Sequence, residues 1–364
     1  MLEHKLTKNN WWSQIDKTIL LPVLALILIG IIAIFSASQQ SSYIDISSNL
    51  LLKKHLFFCF ICIISMFILT NLSLKQLIFF SIFVLVISFI LSICALIFFS
   101  ETKGATRWLN FVYFSIQPSE MFKPSFMIIS SLLLVRYKVK EDFSLVVNFL
   151  ILATLSIILI LQPDFGMFLL ICFVWLIQLL TINLKSKILI PVFVVTSITS
   201  IICFISIDHV RFRIINFFFK EIGDNYQITK SLDSFKSGGF SGRGIGEGIV
   251  SKNLPDSHSD FIYALIGEEF GSIFALIILV LYIIPYIRVH LICQKSSNLF
   301  VITSLTGLSN IFLFQTIINI SSSLNIIPTK GMTLPFVSYG GSSLISSAMI
   351  ISFILILIRE DRNE

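Results

Sequence analysis

Residues 254–271 read LPDSHSDFIYALIGEEFG and place three acids, Asp260, Glu268 and Glu269, at or just past the start of an apolar run. A carboxylate at a helix mouth can accept a proton from a hydroxyl, which is the work of a general base. Two acids eight and nine residues on would lie roughly 12–14 Å deeper at ~1.5 Å per residue. Within a bilayer a charge there costs ~2.5–3.5 kcal/mol. Neighbouring helix positions also diverge by about 100°, so Glu268 and Glu269 cannot both face one partner. Asp260 is therefore expected to carry chemistry. At least one of the pair is expected to face the interior in a structural role, hydrogen-bonded or protonated.

Other polar and special-backbone stretches surround this one in the chain: KGATRWLNF (103–111), QPSEMFK (117–123), QPDFG (162–166), SGGFSGRGIGEG (237–248), PTKG (328–331) and PFVSYGGSS (335–343). Each has a plainer reading. Pro118 and Pro163 suit helix boundaries. Glu120 and Lys123, at i and i+3, can pair on one helix face, and at the start of an apolar helix such a pair shapes a site. The glycine run lacks the Gly-Lys-Ser/Thr of a nucleotide loop; it is either a flexible loop or a nest of N–H groups aimed at an anion. SYGGSS, with Ser338, Tyr339, Gly340 and Gly341, opens a helix and offers N–H groups, hydroxyls and a positive dipole end. With Arg107, Lys123, Arg213 and Lys330 as cations and Trp108 beside them, the set suits transfer at an anionic leaving group. Cations neutralise a pyrophosphate while a carboxylate deprotonates the attacking hydroxyl. His258, two residues before Asp260, is placed to orient it; the other four His residues are isolated. The sequence contains no Ser–His–Asp spacing, no HExxH and no metal-ligand cluster. The six cysteines form no disulfide framework and read as small buried hydrophobes.

These groups need elements to hold them. The 364 residues are 56% hydrophobic and only 13% charged, with a mean hydropathy of +0.94, against about 25% charged in soluble domains. The fold class is all-α and polytopic in a membrane. The net charge of +6 then reflects topology rather than nucleic-acid binding, and most of the 36 Phe read as lipid-facing filler. Helices are expected near 18–38, 56–72, 77–99, 120–136, 144–162, 167–182, 188–207, 261–286, 299–320 and 336–358, about ten transmembrane segments. The first exceeds the ~7–15 apolar residues of a signal peptide. Counted with the N-terminus inside, 13 basic residues fall in inside segments and 5, including Lys53 and Lys54, in short outside loops. Both termini are thus expected in the cytoplasm. The whole chain, 1–364, is one integral membrane domain, with a bundle over 18–358 and a large extracytoplasmic loop over 208–260 before the eighth helix. A stretch such as RIINFFF (213–219) looks amphipathic and suits the interface. Every unusual stretch falls on the outer face.

In their order along the chain, GATRWL, QPSE..K, QPD.G, YQITKSLDSFKSGGFSGRGIG, LPDSHSDFIYALIGEEFG and PTKGMTLPFVSYGGSS resemble the SEDS family (shape, elongation, division and sporulation) of bacterial peptidoglycan polymerases, from the first helix to the tenth. PTKG before MTLPFVSYGG is more similar to the division member than to the elongation member. The resemblance implies a ten-helix glycosyltransferase of the cytoplasmic membrane, working at the septum. It would polymerise lipid II onto a nascent glycan strand, with undecaprenyl diphosphate leaving. A class B penicillin-binding transpeptidase and other division-complex membrane proteins would be its partners, and a divalent cation a candidate cofactor. It assigns catalysis to Asp260 and site roles to Arg107, Trp108, Glu120 and Lys123. Ser259 stands where the family usually has Thr, and Lys230, Asp233 and Lys236 where it usually has uncharged residues. The rival readings are an elongation-type polymerase, a lipid II flippase, which Glu268 and Glu269 would favour, and a non-catalytic scaffold.

Overall fold

A computed structural model describes residues 11–40, 48–99, 106–111, 115–184, 186–206, 211, 212, 215, 217 and 226–363. Arg213 and most of 213–219 lie outside the described residues, as do Lys103 and His209. The rest is almost entirely helical: α1 (Trp11–Gln14), α2 (Lys17–Gln40), α3 (Ser48–Leu69), α4 (Leu74–Phe98), α5 (Phe122–Lys140), α6 (Ser144–Leu161), α7 (Phe165–Thr181), α8 (Ser186–Ser206), α9 (Tyr226–Gly238), α10 (Ile262–Glu269), α11 (Gly271–Cys293), α12 (Leu299–Ser323) and α13 (Gly341–Asn363). Among the described residues the only sheet is a two-residue antiparallel ladder, Leu109–Asn110 (β1) against Ser115–Ile116 (β2).

Seven of these helices, α2, α3, α4, α6, α11, α12 and α13, are long and apolar enough to cross a membrane. Three more, α5, α7 and α8, complete the expected set of long helices, but α7 is short at 17 residues and α5 carries Lys123, Arg136, Lys138 and Lys140. Local sequence sets the ends. Ser73 and Gln76 form a capping box on α4. The Asp164 carboxylate accepts the Met167 N–H and so caps α7, and Asn298 does the same for α12. Each satisfies N–H groups that a helix start leaves open.

The centre of the bundle is formed by α12 and α13. The former packs on α5, α7, α11 and α13, and the latter on α3. Their inward faces are polar for membrane helices: Asn310, Gln315, Thr316, Asn319 and Ser323 on α12 are all buried. Polar groups within a bundle must find partners in it. The outer ring (α3, α4, α6) exposes Phe57, Phe60, Phe67, Phe79 and Phe83. Phe is not only filler, however, since Phe122, Phe126, Phe168, Phe312, Phe336 and Phe353 fill the core. At the end away from Asp260, Asp16 is buried and accepts from Arg288 at 2.9–3.0 Å and from Arg362, tying α11 and α13 to the start of α2.

Two expected boundaries move. The second helix starts at Ser48, so Lys53 and Lys54 ride on α3 instead of in a loop, with His55 buried beside them. The helix expected over 261–286 is two helices. Gly271 has φ +84° and breaks it, because a left-handed residue ends an α-helix and glycine adopts that conformation at little cost. Glu268 and Glu269 therefore end the short α10, before the spanning helix begins.

Candidate active site

Three consecutive carbonyls fix the backbone at Asp260. His258 C=O accepts the Tyr339 N–H at 2.9 Å. Ser259 C=O accepts the Ser338 hydroxyl at 2.5 Å. Asp260 C=O accepts Asn319 Nδ2 at 3.0 Å, and that amide also donates to Met332 C=O at 2.6 Å. Donors from α12 and from the segment before α13 thus clamp the residue before α10, while its side chain stays partly open. Gly331 sits against that carboxylate. At φ +64° its backbone suits glycine, and a Cβ there would lie 3.3 Å from Asp260 Oδ2.

The preceding residue, Lys330, reaches the other way. Its stem crosses Gly166, where a Cβ would be 3.2 Å from Lys330 Cδ. Burial lowers the pKa of its ammonium group, and the charge of Asp164 opposes that shift. Asp164 also meets Arg107 Nη1 at 3.3 Å and accepts from Gln117 Nε2 at 3.1 Å. Among the described residues, Arg107 Nε is buried without a hydrogen-bond partner. A cationic donor left open is what an anionic ligand oxygen would use. Trp108 follows it, half-buried in the same strip. Lys330 and Gly331 therefore join two groups, the Asp260 carboxylate and the Arg107–Asp164 cluster. Asp164 is the site residue that the sequence reading quoted but did not assign.

Glu120 and Lys123 do pair, at 2.6 Å, with the lysine fully buried. Lys123 Nζ also donates to Gln315 Oε1 at 2.6 Å, whose amide donates to Thr333 C=O at 3.1 Å. Its ammonium is thus enclosed by protein. Glu120 and Lys123 thus shape the site, bracing the 328–340 segment through Gln315 and Thr333.

The SYGGSS hydroxyls are likewise committed inward. Ser338 accepts the Leu334 N–H and donates to Ser259 C=O. Ser342 accepts the Gln117 N–H, Ser343 accepts from Thr333 and Ser346 donates to Glu120 C=O. Gly340 packs on Thr333, and Gly341 leaves room for the Phe58 ring. The Tyr339 ring stands between His55 and His258, at centroid distances of 6.2 and 5.8 Å. Ser338 and Tyr339 thus help clamp the backbone at Asp260, and the Ser342 and Ser343 hydroxyls are bonded within the chain.

The backbone just past the glycine run, residues 249–251, is a nest for the chain's own acid. Glu268 is completely buried; its carboxylate accepts the N–H groups of Ile249 and Val250 at 3.0 Å and of Ser251 at 2.7 Å, together with the Ser237 hydroxyl at 2.7 Å. Burial pushes its pKa up, and these donors more than reverse that, so the carboxyl lies below the usual glutamate range. Glu269 points elsewhere, to Ser36 Oγ at 2.5 Å, as the 100° divergence requires.

Comparison with known proteins relates the whole chain to one family. The FtsW/RodA/SpoVE model, described as "Cell cycle protein", matches residues 17–363. The chain belongs to the FtsW/RodA/SpoVE family. Members similar to it include a "Probable peptidoglycan glycosyltransferase FtsW" of Caulobacter vibrioides, 30% identical over 96% of this chain and 90% of that protein. One of the same description from Buchnera aphidicola is 33% identical over 96% and 90%. In fold the chain resembles Thermus thermophilus "Rod shape determining protein RodA" (TM-score 0.71, 22% identity, 97% of this chain and 99% of that one). It also resembles a chain of the structure described as "Structural coordination of polymerization and crosslinking by a peptidoglycan synthase complex" (TM-score 0.76, 20% identity, 96% and 99%). FtsW/RodA/SpoVE membership accounts for the polytopic fold at these identities.

Proposed function

We propose that the chain is a peptidoglycan glycosyltransferase of the inner membrane, polymerising lipid II at the outer face during septal synthesis. The names of its FtsW relatives support this reading. The observation that carries it is the placing of Lys330 and Gly331 between the Asp260 carboxylate and the Arg107–Asp164 cluster. Asp260 takes the proton from the 4-hydroxyl of the acceptor sugar, and that oxygen attacks the anomeric carbon of the lipid-linked donor. The bond to the diphosphate breaks, and undecaprenyl diphosphate leaves with the electron pair, its charge met by Lys330 and Arg107. Among the described residues no three His, Cys, Asp or Glu side chains converge as a metal cage. A magnesium-type ion takes only one or two carboxylates plus substrate phosphates, and the proposed step does not pass through one.

The acid pair that would favour a flippase is bonded within the chain, Glu268 to the 249–251 backbone and Ser237 and Glu269 to Ser36. A transporter needs polar groups through the membrane's depth, whereas the candidate groups here share one end. A class B penicillin-binding transpeptidase is the proposed partner, and one of the fold relatives comes from a synthase complex. The test is lipid II polymerisation with that partner present. Asp260→Ala is expected to lose roughly 10²–10⁴-fold in rate, the usual worth of a general base. Wild-type polymer from that variant would sink the assignment.

A further inference from the structure

The segment between α9 and the short 3₁₀ turn at Ser251–Asn253 presents large apolar side chains outward. Phe240 is 78% exposed, Ile245 55% and Ile249 58%. Its backbone is nevertheless well fixed. A Cβ on Gly238 would collide with the Gly267 carbonyl, and one on Gly242 with that of Glu269. Arg243 and Gly244 donate their N–H groups to the carbonyls of Glu268 and Glu269, and the Glu268 carboxylate holds residues 249–251. A loop this constrained does not expose three apolar tips by looseness.

Its height relative to the bundle is also set. Gly239 C=O accepts the Ser272 N–H at 3.0 Å and the Ser272 hydroxyl at 2.9 Å, and Phe240 C=O accepts the Ile273 N–H at 3.4 Å. These are first-turn donors of the spanning helix α11. Phe240 therefore adjoins the point where α11 enters the membrane, and Ile273, Leu276, Ile277 and Val280 continue the exposed apolar surface down that helix. Exposed charges ring the loop: Lys236, Arg243 and Lys252 against Glu247. Apolar tips with a cationic rim match a bilayer's acyl boundary and its phosphates.

We propose that residues 239–252 form a membrane-inserted prow, with Phe240 and Ile245 among the acyl chains of the leaflet on Asp260's side and Arg243 at phosphate level. The prow is clasped to α10, and α10 begins immediately after Asp260. Its depth in the leaflet therefore fixes the height of the carboxylate above the lipid. Resting on the proposed reading, this places the base at the level of a sugar tethered to the bilayer through a diphosphate.

The test installs p-benzoylphenylalanine at Phe240 in the full chain, reconstituted in bilayers with its transpeptidase partner, and reads adducts by mass after irradiation. Lipid adducts are expected. Adducts to the partner instead, or no adduct where the same probe at Ile273 captures lipid, would overturn the proposal. A second arm compares Phe240→Ser/Ile245→Ser with wild type. Polymerisation of full-length lipid II in bilayers should fall at least tenfold, while transfer from a short-chain, detergent-soluble analogue should keep its rate. Equal rates on the bilayer substrate, or equal losses on both, would refute it. The adduct is read without any turnover, so it stands or falls apart from the glycosyl-transfer reading.

Discussion

Glu268→Ala removes one acceptor from four donors. The Ser251 N–H lies in a buried environment, whereas those of Ile249 and Val250 and the Ser237 hydroxyl are partly buried and recover some water. A donor left unsatisfied in the interior costs about 1–3 kcal/mol. One full loss and three partial ones give roughly 2–5 kcal/mol of local stability, because water offsets the exposed part. Glu268→Gln keeps one oxygen and turns an amide NH₂ toward a backbone N–H, so its loss should be smaller, roughly 1–3 kcal/mol. The effect should be local. The 239–252 segment should become sensitive to protease in detergent micelles at temperatures where the bundle is intact, with Ala more sensitive than Gln and Gln more than wild type. The sign with pH follows from the lowered pKa. The folded carboxyl titrates below an unfolded glutamate, so its stabilisation is present above the ordinary glutamate range and is lost as pH falls through the folded value. Acid should therefore open the wild-type loop while leaving the Gln variant's sensitivity flat. A Glu268→Ala loop as resistant as wild type at neutral pH would refute the reasoning.

Breaking the Glu120–Lys123 pair from one side, by Glu120→Gln or Lys123→Met, should destabilise the protein by about 3–5 kcal/mol, with the double variant milder, as thermal unfolding would show. Gly331→Ala should cut polymerisation with little change in melting temperature, since the strain of φ +64° and the close approach to Asp260 act at the site; unchanged turnover would mean the loop yields. Asp164→Asn weakens the cap on α7 by about 1 kcal/mol or less and frees Arg107 and Lys330 from a competing charge. Donor KM should fall while kcat also falls, measured with short-chain lipid II.

Much of this was legible in the sequence because a membrane makes apolar runs and stray charges conspicuous. The long helices, the polar stretch that holds Asp260 and the divergence of Glu268 and Glu269 were all visible in this way. The apolar pattern over 261–286 predicts one continuous helix, and a single positive-φ glycine, Gly271, interrupts the backbone without interrupting hydropathy. SYGGSS carries donors that suit an anion, and the glycine run reads equally as a flexible loop or as a nest of such donors. Sequence alone does not show that the anion is Glu268, or that the serines bond to carbonyls, to a backbone N–H and to Thr333. Gln315 and Asn319 were missed although their four-residue spacing in an apolar helix was a visible sign. What they brace, the carbonyls of Thr333, Met332 and Asp260, exists only once α12 lies beside the 328–340 segment.

With those donors committed, few groups remain that could recognise a diphosphate, and that narrows how it is bound. Arg107 and Lys330 are half-buried and already share Asp164, so two cations face one acid with a single positive charge in excess. Holding them beside Asp164 limits the cost of removing cations from water, since a charge leaves water tolerably only with a partner. In the proposed step an arriving diphosphate would compete with a carboxylate instead of with solvent alone. Ground-state attraction would be moderated, and the cations would act most strongly as charge builds on the leaving oxygen, as catalysis by differential binding requires.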